Sequence, residues 1–219
     1  MKSVTCGIAI AIAAGSASAQ LSITEVYTGL SGEDGTVDWI EVTNTGLTQI
    51  DTGNFFFDDS NPSLGSGGQL DSFILNAGES AIFLLDGDAA DDVTFNDSIT
   101  EFLAIWGNIA NVGLTNGGGN LGQGSDSANI LDSTGNIIST LSYAAGGQLM
   151  TTENGPDGLR LSVLGENGAF ESNAFFNDNL SLPGDSAVLI GSPGAVPTPA
   201  GVALLAPAAL ALTSRRRRA

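Results

Sequence analysis

The sequence predicts an all-β domain built as a β-sandwich, and two observations support that prediction. Glycine accounts for 30 of the 219 residues, and Asn, Ser, Thr and Asp are common, whereas the helix-favouring Lys, Arg, Gln and Glu are scarce. That balance favours strands joined by tight turns. In addition, short apolar segments recur between turn residues, without a sustained helical period in the body of the chain. Several short strands with regular turn signals are typical of a β-sandwich.

The individual strands follow from alternating apolar and polar residues and from the turns between them. Residues 128–143 carry the strongest signal, a hairpin with a turn at residues 133–136. Residues 98–106 fit either a strand or a short helix, and the polar and aromatic residues 170–179 are expected at the surface. The other predicted strands and apolar runs are residues 21–27, 37–42, 55–57, 73–75, 81–85 and 159–163.

The N-terminus has the three parts of a secretory signal peptide. Lys2 supplies a positive charge, residues 4–14 are apolar, and a small-x-small cleavage site ends at Ala19. We therefore expect signal peptidase to cut between Ala19 and Gln20. Residues 1–19 are assigned as the signal segment.

The last two dozen residues combine an apolar segment with a terminal basic block. Val196-Pro197-Thr198-Pro199 leads into the apolar residues 201–212, and Arg215-Arg216-Arg217-Arg218 follow near the end. About 20 residues span a bilayer, and residues 195–214 together reach that length. The positive-inside rule keeps the arginines cytoplasmic and the body outside. Residues 195–219 are therefore assigned as a sorting segment with a hydrophobic helix, and residues 20–194 as one domain.

The net charge of −18 restricts the partners of the protein. All 24 acidic residues lie between Glu25 and Asp185, and Arg160 is the one basic residue in that span. Such a body repels nucleic acids, because affinity for their phosphates comes largely from cationic groups. Acidity of this kind keeps an exported domain dispersed, and it also attracts divalent cations.

The chain lacks the residues that several familiar chemistries require. It has no histidine, and its one cysteine, Cys6, lies in the signal segment. This composition excludes a disulfide framework in the body, zinc sites of the Cys/His type, and Ser-His-Asp or Cys-His catalytic groups. Walker loops, zinc motifs and nucleophile elbows are also missing from the sequence.

Most of the acidic residues lack a partner of opposite charge, so we expect them to be solvated. Burying an unpaired charge is costly. Glu25 and Glu41 are accordingly expected to point outward or toward the rim of their strands. Trp39 and Ile40 point to opposite faces of one strand, so only one of the two is expected to face the core.

The acidic segment at residues 86–92 is the best candidate for a metal site. Its four aspartates, Asp86, Asp88, Asp91 and Asp92, offer the carboxylate oxygens that Ca²⁺ prefers. The spacing does not fit an EF-hand, which needs Gly at position 6 and Glu at position 12 of its loop. A solvated acidic loop is the alternative, and no cofactor other than Ca²⁺ is expected.

Several short motifs occur in the order of a known domain. They are Ile23-Thr24-Glu25-Val26, Asp38-Trp39-Ile40-Glu41-Val42-Thr43-Asn44, residues 75–82, residues 130–138, residues 141–143 and Ser192-Pro193-Gly194. In this order they resemble the lamin-tail domain, well over residues 21–143 and loosely over residues 144–194. The resemblance implies an immunoglobulin-like β-sandwich without enzyme activity. Bacterial copies are found in exported proteins, where they look like accessory or adhesive modules.

The C-terminal segment is similar to bacterial PEP-CTERM sorting signals, which are processed by exosortase-type enzymes. Those signals consist of Pro-Glu-Pro, an apolar helix and an arginine cluster, whereas here Thr198 replaces the Glu and Pro207 interrupts the apolar run. The similarity implies an exosortase-like partner in addition to signal peptidase. It also implies transient anchoring of the protein in the inner membrane before processing.

These features predict an exported, non-enzymatic protein of the cell surface or extracellular matrix that works by adhesion. Surface proteins or polysaccharide are the expected partners, and nucleic acid is not. Two alternatives stay open at this point. One is a Ca²⁺-dependent carbohydrate-binding module, and the other is a polysaccharide hydrolase that uses paired carboxylates.

Overall fold

One large sheet organises the protein. The computed structural model describes residues 21–30, 36–85, 98–155, 158–176 and 186–195. The described strands are β1 (Leu21–Tyr27), β2 (Trp39–Asn44), β3 (Ile50–Asp51), β4 (Phe55–Asp58), β5 (Gly68–Leu70), β6 (Ile74–Leu75), β7 (Ser80–Leu84), β8 (Val112–Asn116), β9 (Asp126–Asp132), β10 (Ile137–Tyr143), β11 (Thr152–Gly155), β12 (Gly158–Leu161), β13 (Phe170–Glu171), β14 (Phe175–Phe176), β15 (Ser186–Ala187) and β16 (Ile190–Gly191). Between β7 and β8 lies the helix α1 (Ile99–Trp106), and a 3₁₀ turn occupies Thr52–Asn54. The predicted all-β fold is confirmed.

The sheet folds over on itself to form the two layers of a β-sandwich. Its ten strands follow the order β10-β9-β4-β5-β8-β7-β2-β1-β11-β12, and the described pairs are antiparallel except for β7 with β8. Strands β9 and β10 lie against β1, where the Ile23 N–H donates to Ser139 Oγ at 3.0 Å. The inner core between the layers includes Leu21, Ile23, Val26, Ile40, Val42, Phe57, Phe83, Ala128, Ile130 and Leu141.

A second apolar cluster covers the outer face of β1, β2 and β7. Because successive residues of a strand point to opposite faces, Trp39 lies in this outer cluster and Ile40 lies in the inner core. Both are buried, with exposed fractions of 1% and 0%, so the prediction that only one of them faces a core is wrong. The outer face is buried because α1 and the C-terminal strands pack on it. The cluster contains Tyr27, Leu30, Trp39, Ile82, Leu84, Phe102, Ile105, Trp106, Ala187 and Leu189.

The segment for which strand and helix were both open is a helix. Ser98 caps the N-terminus of α1, where its hydroxyl accepts from the Glu101 N–H and the Glu101 carboxylate accepts from the Ser98 N–H. This reciprocal pair is a capping box, which satisfies two backbone groups that a helix end leaves open. Trp39 meets Phe102 and Trp106 edge-on, with ring centroids 5.9 and 6.0 Å apart. Among the described residues, no helix is long and apolar enough to cross a membrane.

Two further predictions have opposite outcomes. The hairpin is confirmed, since β9 and β10 pair and the Asp132 carboxylate accepts from the Thr134 and Asn136 N–H groups in the turn. Phe170, however, is half-buried rather than a surface residue. Its ring meets the Trp106 ring edge-on with 5.7 Å between centroids, because the C-terminal part of the chain returns to cover α1 and the outer face.

Removing the N-terminal cap of α1 tests how much this helix, which packs on the outer face of the sheet, contributes to the stability of the domain. Replacing an N-cap serine with alanine costs about 1 kcal/mol, which for a domain of this size lowers the melting temperature by about 2–4 °C. We expect this loss for Ser98→Ala in thermal unfolding followed by circular dichroism. Ser142→Ala, at an exposed position of β10, is the matched control. Equal melting temperatures for the two variants would contradict the prediction.

Candidate functional site

A β-bulge in β1 places two adjacent polar residues near Glu41. The register of β1 against β2 shifts between Ile23 and Glu25. Ile23 and Val26, on either side of the shift, both belong to the inner core. Thr24 and Glu25 therefore occupy the outer face together, because a bulge adds one residue and redirects side chains. Thr24 Oγ1 reaches Glu41 Oε1 at 2.6 Å.

Three glutamates form a row across three neighbouring strands, which we call the carboxylate row. Glu41 of β2 lies opposite Glu25 of β1, and Glu25 lies opposite Glu153 of β11. The exposed fractions of Glu25, Glu41 and Glu153 are 1%, 1% and 3%. The prediction that Glu25 and Glu41 point outward or toward the rim is therefore wrong. They are buried because the last described residues of the chain lie over them.

Glu25 accepts hydrogen bonds from two segments that lie far away in sequence. The Ser192 N–H donates to Glu25 Oε1 at 2.8 Å, and the Ser192 hydroxyl donates to Glu25 Oε2 at 3.0 Å. The Thr151 hydroxyl donates to Oε1 as well. Three donors around one carboxylate offset part of the free energy lost when its charge leaves water.

Glu41 binds the same terminal turn from the next strand. The Gly194 N–H donates to Glu41 Oε2 at 2.7 Å. Gly194 has a φ of +76°, in the left-handed region that favours glycine. Glu25 and Glu41 thus hold the Ser192-Pro193-Gly194 turn between them, and Pro193 itself is buried.

The third member of the row, Glu153, lies beside the basic residue singled out in the sequence. Arg160 of β12 is the cross-strand neighbour of Glu153, and its Nε lies 3.7 Å from Glu153 Oε2. Arg160 also donates from Nη1 to Glu166 Oε2 at 2.6 Å. The guanidinium therefore forms ion pairs with two carboxylates at one end of the row. Among the described contacts, it has no hydrogen bond to Glu25 or Glu41.

A small cavity opens beside Glu153. Its volume is about 10 Å³, enough for roughly one water molecule. Glu153 Oε1, which is buried, has no hydrogen-bond partner among the described residues. The lining residues are Thr24, Glu41, Glu153, Asn154, Gly155, Asn167 and Ser192.

Close packing at Gly191 completes the cover over the row. A Cβ atom at this position would lie 2.7 Å from Thr151 Cγ2, 2.9 Å from the Trp106 ring and 3.1 Å from Glu25 Oε1. Only glycine fits without displacing these groups. The absence of a side chain lets β16 approach both the helix and the carboxylate row.

Burial keeps protons on Glu25 and Glu41 at pH values where ordinary glutamates are ionised. Burial, followed by the charge of Glu25, raises the pKa of Glu41 to about 8, against the lowering effect of the bonds from Thr24 and Gly194. Burial also raises the pKa of Glu25 to about 7, although its donors Ser192 and Thr151 act in the opposite direction. Adjacent carboxylates share their titration, so these values belong to the pair.

A second raised carboxyl lies away from the row. Asp38 Oδ2 accepts from the Leu121 N–H at 2.5 Å. Burial raises the pKa of Asp38 to about 7, the Leu121 bond lowers it, and the charge of Asp126 raises it further. Asp38 therefore adds to any pH dependence of stability that the row causes.

The metal and processing residues predicted from the sequence lie outside the described part of the structure. Those residues are Asp86, Asp88, Asp91, Asp92, Ala19, Gln20, Val196, Pro197, Thr198, Pro199, Arg215, Arg216, Arg217 and Arg218. Within the described ranges, no group of three or more Asp, Glu, Cys or His side chains has an arrangement that could hold a metal ion. The calcium site at residues 86–92 stays a prediction.

The order of strands and motifs agrees with a comparison against family models. The Lamin Tail Domain model matches residues 14–145, more than half of the chain. The protein belongs to the lamin tail domain family. No curated protein matches the chain at a significant level. The matched region contains Glu25 and Glu41, whereas Glu153 and the Ser192–Gly194 turn lie beyond it.

In this lamin-tail protein, motifs far apart in sequence form one site. Glu25 of Ile-Thr-Glu-Val and Glu41 of Trp-Ile-Glu-Val both bind the Ser192-Pro193-Gly194 turn. Sequence reasoning missed this site because it assigned unpaired acids to the solvent. One local signal was present: Thr24-Glu25 interrupts the polar–apolar alternation of β1, as a bulge does.

The raised pKa of Glu41 predicts that stability decreases toward alkaline pH. In the unfolded chain an ordinary glutamate titrates near pH 4.5, so between that pH and about 8 the folded state holds more protons. The stabilisation is complete below the unfolded pKa and is lost as the pH rises through the folded pKa. We expect the melting temperature to fall between pH 5 and pH 9, and Glu41→Gln to reduce that fall by at least about 3 °C.

Two controls separate the row from other acids in this experiment. Asp38→Asn removes only the contribution of Asp38 to the fall in melting temperature, so its effect adds to that of Glu41→Gln. Glu171→Gln changes an exposed glutamate of β13 and is expected to leave the wild-type pH dependence. A fall in Glu41→Gln as steep as in wild type would show that Glu41 does not control the pH dependence of stability.

The calcium hypothesis for residues 86–92 has its own test. If the aspartates bind Ca²⁺, calcium stabilises the folded state by mass action, and the melting temperature rises with calcium concentration. Asp88→Ala is expected to abolish the rise, and Mg²⁺ is expected not to reproduce it. An unchanged melting temperature at millimolar Ca²⁺ would exclude the site.

Proposed function

We propose that the protein is an exported, non-enzymatic interaction module of the cell surface or extracellular matrix. Signal peptidase removes residues 1–19, and residues 195–219 anchor the chain transiently in the inner membrane until an exosortase-like enzyme processes them. The observation that carries the proposal is the binding of the Ser192–Gly194 turn by Glu25 and Glu41.

This binding suits a domain that is displayed from its C-terminal end. Gly194 is bonded to the sheet two positions before Val196, where the sorting segment begins. The last described residues of the domain are therefore held at a defined point on the sandwich. β16 and the bonded turn precede that point, so cleavage beyond Val196 leaves every described strand in the product.

The buried glutamates support a non-enzymatic role over the hydrolase alternative. A glycosidase needs two carboxyl groups that flank the substrate bond. Glu25 and Glu41 are 1% exposed, and their oxygens accept hydrogen bonds from the protein itself. They are occupied by the terminal turn and do not face a substrate.

The partners are expected among surface proteins and polysaccharides. The acidic body disfavours nucleic acid for the electrostatic reason given above. The polar loops at the ends of the sandwich are the natural contact surface, as loops on a rigid β scaffold commonly carry binding residues.

Intact-mass measurement of the native protein from fractionated cells tests export and processing. We expect a species that begins at Gln20 and ends near Val196, in the surface or medium fraction. Replacement of Arg215–Arg218 by glutamine is expected to reduce that species, because the topology signal is lost. A membrane-bound species that retains the arginines would make the tail a lasting anchor, and a cytoplasmic species that begins at Met1 would overturn export.

The adhesive role is tested on the mature protein recovered from that fraction. We expect saturable binding to cells that lack the protein and no release of sugar from surface polysaccharide. Turnover that is lost on a single Asp or Glu substitution would instead favour the hydrolase. Binding that needs Ca²⁺ and is lost in Asp88→Ala would favour the carbohydrate-binding alternative.

A further inference from the structure

We propose that Glu41 is a proton-operated gate for the end of the domain. With a proton on Glu41, the terminal turn (residues 192–195) is closed on the sheet, and loss of that proton beside an ionised Glu25 opens the turn. The gate is a property of the fold and does not depend on the proposed export. Its effect on tail processing does depend on that proposal.

The terminal turn is held differently from the segment that precedes it. The Ile190 N–H donates to the Leu149 carbonyl at 2.9 Å, and the Thr151 N–H donates to the Ile190 carbonyl at 3.0 Å. From residue 192 onward, the bonds to the sheet go to carboxylates: Ser192 binds Glu25 and Gly194 binds Glu41. Protonation therefore acts on the turn and leaves the backbone bonds of Ile190 unchanged.

A chain of hydroxyl groups links Glu41 to the surface. Glu41 Oε1 lies 2.6 Å from Thr24 Oγ1, which lies 3.0 Å from Thr43 Oγ1. Thr43 Oγ1 lies 2.8 Å from Ser80 Oγ, and Ser80 is only half-buried. The protonated Glu41 can donate to Thr24, Thr24 to Thr43, and Thr43 to Ser80. On deprotonation each hydroxyl takes one proton and passes its own onward, so the proton leaves to water at Ser80.

The groups around Glu41 explain why its ionisation opens the turn. The charged or titratable groups of the row are Glu25 on β1, Glu153 on β11 and Arg160 on β12, with Glu166 beyond Arg160. The β7 residue opposite Glu41 is Ile82, and the terminal turn adds no charged side chain. A second carboxylate charge beside Glu25 thus lacks a nearby cation. Opening of the turn admits water to both charges, which relieves the cost of burial and repulsion.

Opening also releases the residues that directly precede the predicted sorting motif. The turn ends at Ala195, and the predicted sorting motif begins at the next residue, Val196. When the turn is closed, the Gly194 N–H is bonded to the sheet. When it is open, residues 192–195 no longer bind the sheet, and a processing enzyme gains extended backbone on the domain side of the motif.

Amide hydrogen exchange on the purified protein at pH 6 and pH 9, corrected for the intrinsic pH effect, tests the gate. We expect protection of the Ser192 and Gly194 amides to fall at least about tenfold at pH 9, whereas the Ile190 amide and the β9–β10 hairpin keep theirs. Glu41→Gln is expected to keep both turn amides protected at pH 9, because its side-chain oxygen still accepts but cannot ionise. Glu25→Gln is expected to do the same, because only one of the two neighbouring carboxyls can then ionise.

The comparison of amide protection in the wild type at pH 6 and pH 9 decides whether the turn opens. The two variants show whether the carboxyl groups cause the opening. Unchanged protection at Ser192 and Gly194 would overturn the proposal. Loss of protection in step with the hairpin would also overturn it, because that result is global unfolding. A wild-type pH response in Glu41→Gln, with hairpin amides protected as proof of folding, would remove Glu41 as the gate. These outcomes leave export untouched, which the mass measurement decides separately.

Discussion

Three carboxylates lie on a buried face of the sheet, and the rest of the structure depends on how they obtain hydrogen-bond donors. An unpaired buried charge is costly, and the described region has one arginine, at one end of the row. Glu25 and Glu41 therefore depend on backbone N–H and hydroxyl groups as hydrogen-bond donors. Those donors come from Thr24, Thr151 and the terminal turn. The end of the domain must therefore return to its first two strands, a sequence separation of 167 residues.

The return of the chain to the first two strands also buries apolar residues on the outer face of the sheet. Strand β2 presents Trp39 on the outer face and Ile40 on the inner face, so both faces of the sheet are apolar there. The helix α1 covers one part of the outer face, and Ala187 and Leu189 cover another. Gly191 then passes the Trp106 ring closely enough for the terminal turn to reach the carboxylates. Apolar burial brings the segment to the sheet, and the hydrogen bonds set its register.

Local features of the fold could be predicted from the sequence, because their physical causes are local. Alternation and turn residues located β1, β7 and the β9–β10 hairpin, and a capping box at Ser98 was available to identify α1. The carboxylate row could not be found in the same way. Glu25 and Glu41 look like exposed strand residues until something covers them, and the cover comes from the opposite end of the chain. Only the Thr24-Glu25 doublet marked the bulge, and it carries no information about burial.

The carboxylate row matters because the sequence offers no disulfide or Cys/His metal site that could connect the two ends of the domain. Cys6 is the single cysteine and histidine is missing, so neither a disulfide nor a Cys/His metal site can tie the end of this domain to its beginning. Hydrogen bonds to Glu25 and Glu41 make that connection instead. A disulfide would hold at any proton concentration, whereas a bond to a buried carboxyl depends on the ionisation of its neighbour. A domain closed in this way is expected to lose stability as the pH rises, and the proposed opening starts at the terminal turn.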